Sequence, residues 1–132
     1  MQSEEEILLI DLTQKLLDCI AAGDWNTYCE LCDPSLTCFE PEAVGNLISG
    51  LEFHRFYFDI AKNSTAPVQT TIANAHVRMM NDVAVVSYLR VMQQGDSPPQ
   101  TRAFEETRVW QKTNSGWMHV HFHRSGPQTW NV

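Results

Sequence analysis

Residues 119–126 read HVHFHRSG, three histidines at alternate positions and then an arginine. A β-strand aims alternate side chains at one face. His119, His121 and His123 are therefore expected to share a face with Trp117. Met118, Val120, Phe122 and Arg124 are expected to share the other. Two of the histidines, at i and i+2, have the spacing of a zinc pair. All three do not: i and i+4 on a strand stand about 13 Å apart, beyond the roughly 2.0–2.1 Å bonds of a single ion. No further ligand is evident, so no metal and no cofactor is expected. The plainer reading of the histidines is a polar, aromatic-rich sheet face at an interface or under a helix.

Arginine carries more information. In VVSYLRVM, Arg90 shares a face with Val86, Tyr88 and Met92. In EETRVW, Arg108 shares a face with Phe104, Glu106 and Trp110. Arg124 shares one with Met118, Val120 and Phe122. A guanidinium is charged at every relevant pH, and burying it unpaired is costly, so it requires a carboxylate or an anion. Either the protein supplies that partner, with Glu105 or Glu106 available and strand-end snorkelling a further outlet, or a ligand does.

Other chemistry is sparse. His54 falls on an apolar stripe, where a satisfied core histidine is the ordinary expectation. Glu40 and Glu42 flank Pro41 near a loop, and two carboxylates alone are weak support for acid–base work. The sequence holds no nucleophile–base pattern, Gly-rich phosphate loop or HExxH. Of the four cysteines, Cys29 and Cys32 have zinc-like spacing in CELC, but no second pair follows. Reduced, mostly buried thiols are expected for Cys19, Cys29, Cys32 and Cys38.

The elements that must position these residues follow from periodicity. Ser3 and Glu6 form a capping box, and Glu4 to Glu6 suit the positive end of a helix dipole. Leu9, Leu12, Leu16 and Ile20 step by three and four, which predicts a helix over 4–22 ended by Gly23. Asp24 caps a short helix over 25–32, stopped by Asp33-Pro34. LTCF (36–39) is extended and PEAVG (41–45) turns. A third helix is expected over 44–60, with Leu47, Leu51, His54 and Phe58 on one stripe. Beyond the break KNSTAP, strands are expected over 67–80, 83–92, 101–112 and 116–124, with a wide loop at QQGDSPPQ. Helices followed by an antiparallel meander give an α+β fold. The long first helix would lie across the concave face of a curled sheet.

The 132 residues suit a single domain, 1–132, and 43% hydrophobic with 19% charged residues is ordinary for a folded protein. The formal charge of −7 argues against nucleic acid and anionic membranes. The acidic start MQSEEEILLI is unlike a signal peptide and no apolar run is long enough to span a bilayer, so a cytoplasmic setting is expected.

Together, CDPSLTCFEPEAVGNLISGLEFHRFYF, KNS, TTIANAHV, EETRVW and GWMHVHFHRSG resemble the association (hub) domain of calcium/calmodulin-dependent protein kinase II, from about Glu5 to Pro127. The resemblance implies a fold like nuclear transport factor 2, a cone with a long N-terminal helix on a curved antiparallel sheet. It implies a non-catalytic domain that assembles kinase subunits into two stacked rings, a dodecamer or tetradecamer. An excised domain and a stand-alone relative fit it equally. The resemblance also implies a pocket lined by Arg90, Arg108 and Arg124, with Tyr28 and His54 contributing, that accepts small carboxylates or an acidic peptide segment. The alternative is a small cone-fold enzyme of isomerase or dehydratase type, in which His54 would be the evident base.

Overall fold

Ser3 starts the first helix as its sequence implies: its hydroxyl oxygen accepts the Glu6 amide at 3.2 Å. In the computed structural model, which describes residues 2–64, 68–95, 98 and 100–126, helix α1 covers Glu4–Ala22. Leu9, Leu16 and Leu17 are fully buried along it, with Leu12 and Ile20 packed at the edge of the core. Thr13 ties the helix to the sheet. Its hydroxyl donates to the Leu9 carbonyl at 2.8 Å and accepts the Trp110 indole N–H at 3.1 Å. Gly23 ends α1 at φ +71°, and the Asp24 amide closes back on the Cys19 carbonyl at 2.9 Å.

Asp24 caps α2 (Trp25–Leu31) by accepting the Thr27 amide at 3.1 Å. The chain then runs through strand β1 (Cys32–Phe39), a 3-10 turn at Pro41–Ala43, the short strand β2 (Ile48–Ser49) and a second 3-10 turn at Glu52–His54. It enters α3 at Arg55–Asn63. A single helix over 44–60 is therefore not what forms. Val44, Gly45 and Gly50 all adopt positive φ (46°, 80° and 85°), outside helical geometry. Only the C-terminal part of the expected stripe survives: His54 and Phe58 are buried, while Leu47 is exposed.

Strands β3 (Val68–Met80), β4 (Val83–Gln94), β5 (Gln100–Thr113) and β6 (Gly116–Arg124) form the expected antiparallel meander. The sheet has six strands in the order β2-β1-β6-β5-β4-β3. The sequence reading gave β1 only as an isolated extended piece; in fact it pairs parallel to β6 and makes a hairpin with β2. The expected strand start at 67, part of the QQGDSPPQ loop and Pro127 lie outside the described residues. Helix α1 crosses the sheet over β3 and β4, and the core lies between them. No helix among the described residues is long and apolar enough to cross a membrane.

One register shift changes which residues face inward. Val109 pairs with His121, but Trp110 pairs with His119, so Val120 is an extra residue in β6. Such a bulge breaks the period-two alternation. His119 therefore turns into the core, fully buried against Trp110 and Phe122. The expectation that all three histidines share one face is corrected: His121 and His123 stay on the opposite face, where His121 Nδ1 meets the Thr37 hydroxyl at 2.8 Å.

Candidate functional site

Alternation along β4 and β5 delivers Arg90 and Arg108 inward, and the three-residue spacing past the bulge leaves Phe122 and Arg124 on the same side. These three arginines, with Tyr28 from α2 and His54 from the turn before α3, line one cavity of about 290 Å³. All five residues singled out in the sequence meet there. Glu40, Glu42, Tyr57, Arg102, Phe104 and Phe122 complete most of the wall.

The arginines are not free cations. Glu106, fully buried between them, receives Arg90 Nη1 on Oε2 at 3.1 Å and Arg108 Nη2 on Oε1 at 3.2 Å. The Tyr88 hydroxyl also donates to Glu106 Oε1, while accepting Arg108 Nε–H at 2.8 Å. Arg124 reaches Glu40 Oε2 at 3.4 Å and makes a close ion pair with Glu42. Of the two outcomes the sequence left open, the first is seen: the protein supplies carboxylates for its own guanidinium groups, Glu106 as expected and Glu40 and Glu42 besides. The reason is energetic, since a dry, unpaired guanidinium would cost more than folding can offset.

Electrostatics follow from this arrangement. Burial alone would raise the Glu106 pKa, but Arg108 and Arg90 outweigh it and hold the carboxyl at about 2. Burial would lower the Arg108 pKa, yet the neighbouring Tyr88 and Glu106 oxygens push it upward. Aromatic faces complete the cradle, with Arg108 4.4 Å from the Phe122 centroid and Arg124 5.3 Å from that of Phe104.

Behind Arg108, His119 Nε2 accepts from Nη1 at 3.4 Å. Arginine has donors only, so the ring proton sits on Nδ1, 3.3 Å from Cys32 Sγ. Burial first, then the Arg108 charge, drive the His119 pKa well below the ordinary value of 6.5. His54 bridges Tyr28 and Glu40: Nδ1 lies 3.4 Å from the Tyr28 hydroxyl and Nε2 lies 3.0 Å from Glu40 Oε1.

Two polar groups on the cavity wall are buried without a hydrogen-bond partner among the described residues, Arg90 Nε and the Tyr57 hydroxyl. Tyr57 was not singled out in the sequence. It lies inside FHRFYF, three residues after His54, so helical spacing from that histidine was the available signal. Glu40 and Glu42 were set aside as loop carboxylates because Arg124, their partner, lies 82 residues or more away in sequence. Of the cysteines, Cys19, Cys32 and Cys38 are buried, Cys29 is exposed, and none is in a disulfide.

Residues 4–128 match the family described as calcium/calmodulin-dependent protein kinase II association domain. A curated relative, the delta subunit of calcium/calmodulin-dependent protein kinase type II from Oryctolagus cuniculus, is 46% identical over 125 residues, covering 92% of this chain and 24% of that protein. The chain thus spans about a quarter of that relative's length. The solved association domain of the C. elegans kinase superposes with a TM-score of 0.85 at 46% identity, over 92% of this chain and 95% of that one. The solved hub homology domain from Chlamydomonas reinhardtii gives a TM-score of 0.81 at 50% identity, over 89% and 94%. An NTF2-like protein from Cytophaga hutchinsonii, at 18% identity and a TM-score of 0.74 over 95% and 99%, shows the shared fold alone. These matches disfavour the small-enzyme alternative. On the family match, the two hub structures and the fold described above, this chain belongs to the calcium/calmodulin-dependent protein kinase II association-domain family and is a non-catalytic, self-associating hub domain.

Proposed function

We propose that residues 1–132 act as one association domain that assembles copies of itself into two stacked rings, a dodecamer or tetradecamer. The family match carries this reading, and the protein's surface supports it. Ile7 and Leu8 on α1 are about half exposed, as are Leu47 and Phe56, while Ile60 is 63% and Val44 81% exposed. Phe56 and Ile60 are four residues apart on α3 and form one outward stripe. Exposed apolar residues of this size suit burial against further copies. In this reading the partners are other copies of the chain and, in a longer parent, a kinase and its regulatory segment, in the cytoplasm. Light scattering tests it. A single species near a dozen times 15.1 kDa, or slightly above, is expected; a monomer or dimer would overturn the ring.

The cavity in this reading accepts a small carboxylate or an acidic peptide segment. Arg90 Nε and the Tyr57 hydroxyl are buried donors left over after the protein's own pairing, and a carboxylate is an acceptor with lone pairs to spare. Glu42 is 39% exposed by side chain and holds Arg124 from the open side, so an incoming carboxylate would compete with it. Calorimetry with a small carboxylate on the wild-type protein and on Arg108→Ala and Arg90→Lys provides the check. Equal binding by all three would remove the clamp reading.

A further inference from the structure

Three metal-ligating side chains converge beside the cavity. Cys38 Sγ lies 3.5 Å from His54 Nε2, and Glu40 Oε1 lies 3.0 Å from the same nitrogen. All three ligand atoms fall within 4.8 Å of one another, and all three residues are buried. One ring nitrogen is shared between the two partners. In a neutral imidazole Nε2 holds either a proton or a lone pair. With a proton it serves Glu40 and leaves the Cys38 thiol without an acceptor there. With a lone pair it serves the thiol and faces the Glu40 oxygen across 3.0 Å.

A cation at the centre of the triangle would be offered lone pairs by all three groups. Two of the three spacings come close to that arrangement, and the third, sulfur to carboxylate oxygen, is within 4.8 Å. Tetrahedral zinc with Zn–S of about 2.3 Å and Zn–N and Zn–O of about 2.0–2.1 Å sets the sulfur and nitrogen roughly 3.6 Å apart, and nitrogen and oxygen roughly 3.3 Å apart. The observed separations are 3.5 Å and 3.0 Å.

An outer shell is also in place. The second nitrogen of His54 meets the Tyr28 hydroxyl at 3.4 Å, and the second oxygen of Glu40 meets Arg124 Nη2 at 3.4 Å. Ligating histidines and carboxylates are commonly oriented by partners of this kind. Arg124 adds a positive charge, but Glu42 pairs with it on the other side.

We propose that Cys38, Glu40 and His54 form a binding site for a zinc-type divalent cation in the cavity wall. The ligand set of thiolate, imidazole and carboxylate suits zinc rather than magnesium or calcium. The thiol proton leaves to solvent as the metal binds. Glu40 and His54 line the cavity, so a cavity water supplies the fourth ligand. This site does not depend on carboxylate binding, and its test uses no carboxylate.

The test is titration of the chelator-treated, assembled protein with Co²⁺ alone as a spectroscopic probe, followed by Zn²⁺ displacement. One ion per chain is expected, with a thiolate-to-cobalt charge-transfer band that zinc abolishes. Cys38→Ala and Cys38→Ser should lose that band, while Cys29→Ala and Cys32→Ala should keep it. Tyr28→Phe should weaken Co²⁺ binding about 10- to 100-fold at unchanged stoichiometry, the usual effect of removing an outer-shell partner. Absence of stoichiometric Co²⁺ or Zn²⁺ binding to the wild-type protein would overturn the site, whatever the variants do. So would a charge-transfer band that survives at full strength in a folded Cys38 variant.

Discussion

Glu106 and Arg108 lie two residues apart on one face of β5, joined at 3.2 Å and both out of water, at the wall of the cavity that Arg108 lines. Glu106 also holds Arg90, so one carboxylate serves two guanidinium groups. Breaking a buried pair by removing one partner costs about 3–5 kcal/mol. Glu106→Gln should therefore destabilise the protein by that order in chemical denaturation, even though its volume is unchanged.

The same pair sets an acid limit. The folded-state pKa of Glu106 is depressed from 4.5 to about 2. Its stabilisation is fully present above the unfolded value of 4.5 and is lost as pH falls through the folded value near 2. A loss of about 3 kcal/mol is expected across that window. Denaturation at a series of acid pH values should show the slope in the wild-type protein and a shallower one in Glu106→Gln.

His119 acts at milder pH. Its folded pKa lies well below 6.5, so below pH 6.5 the unfolded chain takes up protons that the native state refuses. Stability should fall as pH drops from 6.5, and His119→Asn should flatten that part of the curve. In nitrogen-resolved NMR the native ring should show the Nδ1–H tautomer, set by the Arg108 donor on Nε2.

Gly23 is fixed twice over. Its φ is +71°, and an added Cβ would meet the Lys62 amide nitrogen at 2.6 Å and the Phe58 carbonyl oxygen at 2.8 Å. The left-handed backbone alone costs a side chain about 1–2 kcal/mol. Gly23→Ala should lower stability by at least that amount, and the backbone clash with α3 adds to it. A thermal melt unchanged from wild type would contradict the packing described here.

Assembly and pocket chemistry should respond differently to salt and charge. Each copy carries −7, and apolar contacts between copies should strengthen or hold as salt screens that repulsion. Light scattering in molar salt should show the same mass as at physiological salt. In the cavity, Glu42→Gln removes the carboxylate that holds Arg124 from the open side, leaving Glu40, and should tighten the proposed carboxylate binding a few-fold, in line with the roughly 1 kcal/mol ceiling of a partly exposed ion pair. Calorimetry reads the change directly.

Local chemistry along the chain was enough to determine the first helix, its caps at Ser3 and Gly23, and the four meander strands. Those features depend on neighbours within four residues or on period-two alternation. The same alternation placed Arg90 and Arg108 on the inner face, since β4 and β5 pair without interruption. Tertiary structure alone decided the rest. The Val120 bulge turned His119 inward, because pairing with Trp110, not the strand's own sequence, fixes the register. Left-handed residues at 44, 45 and 50 broke the expected third helix, and β1 paired with β6 in parallel. Glu40 and Glu42 found Arg124, and Cys38 found His54, only when the chain folded. A charged or ligating side chain is defined by what it meets, and sequence separation hides that meeting until the sheet curves around it.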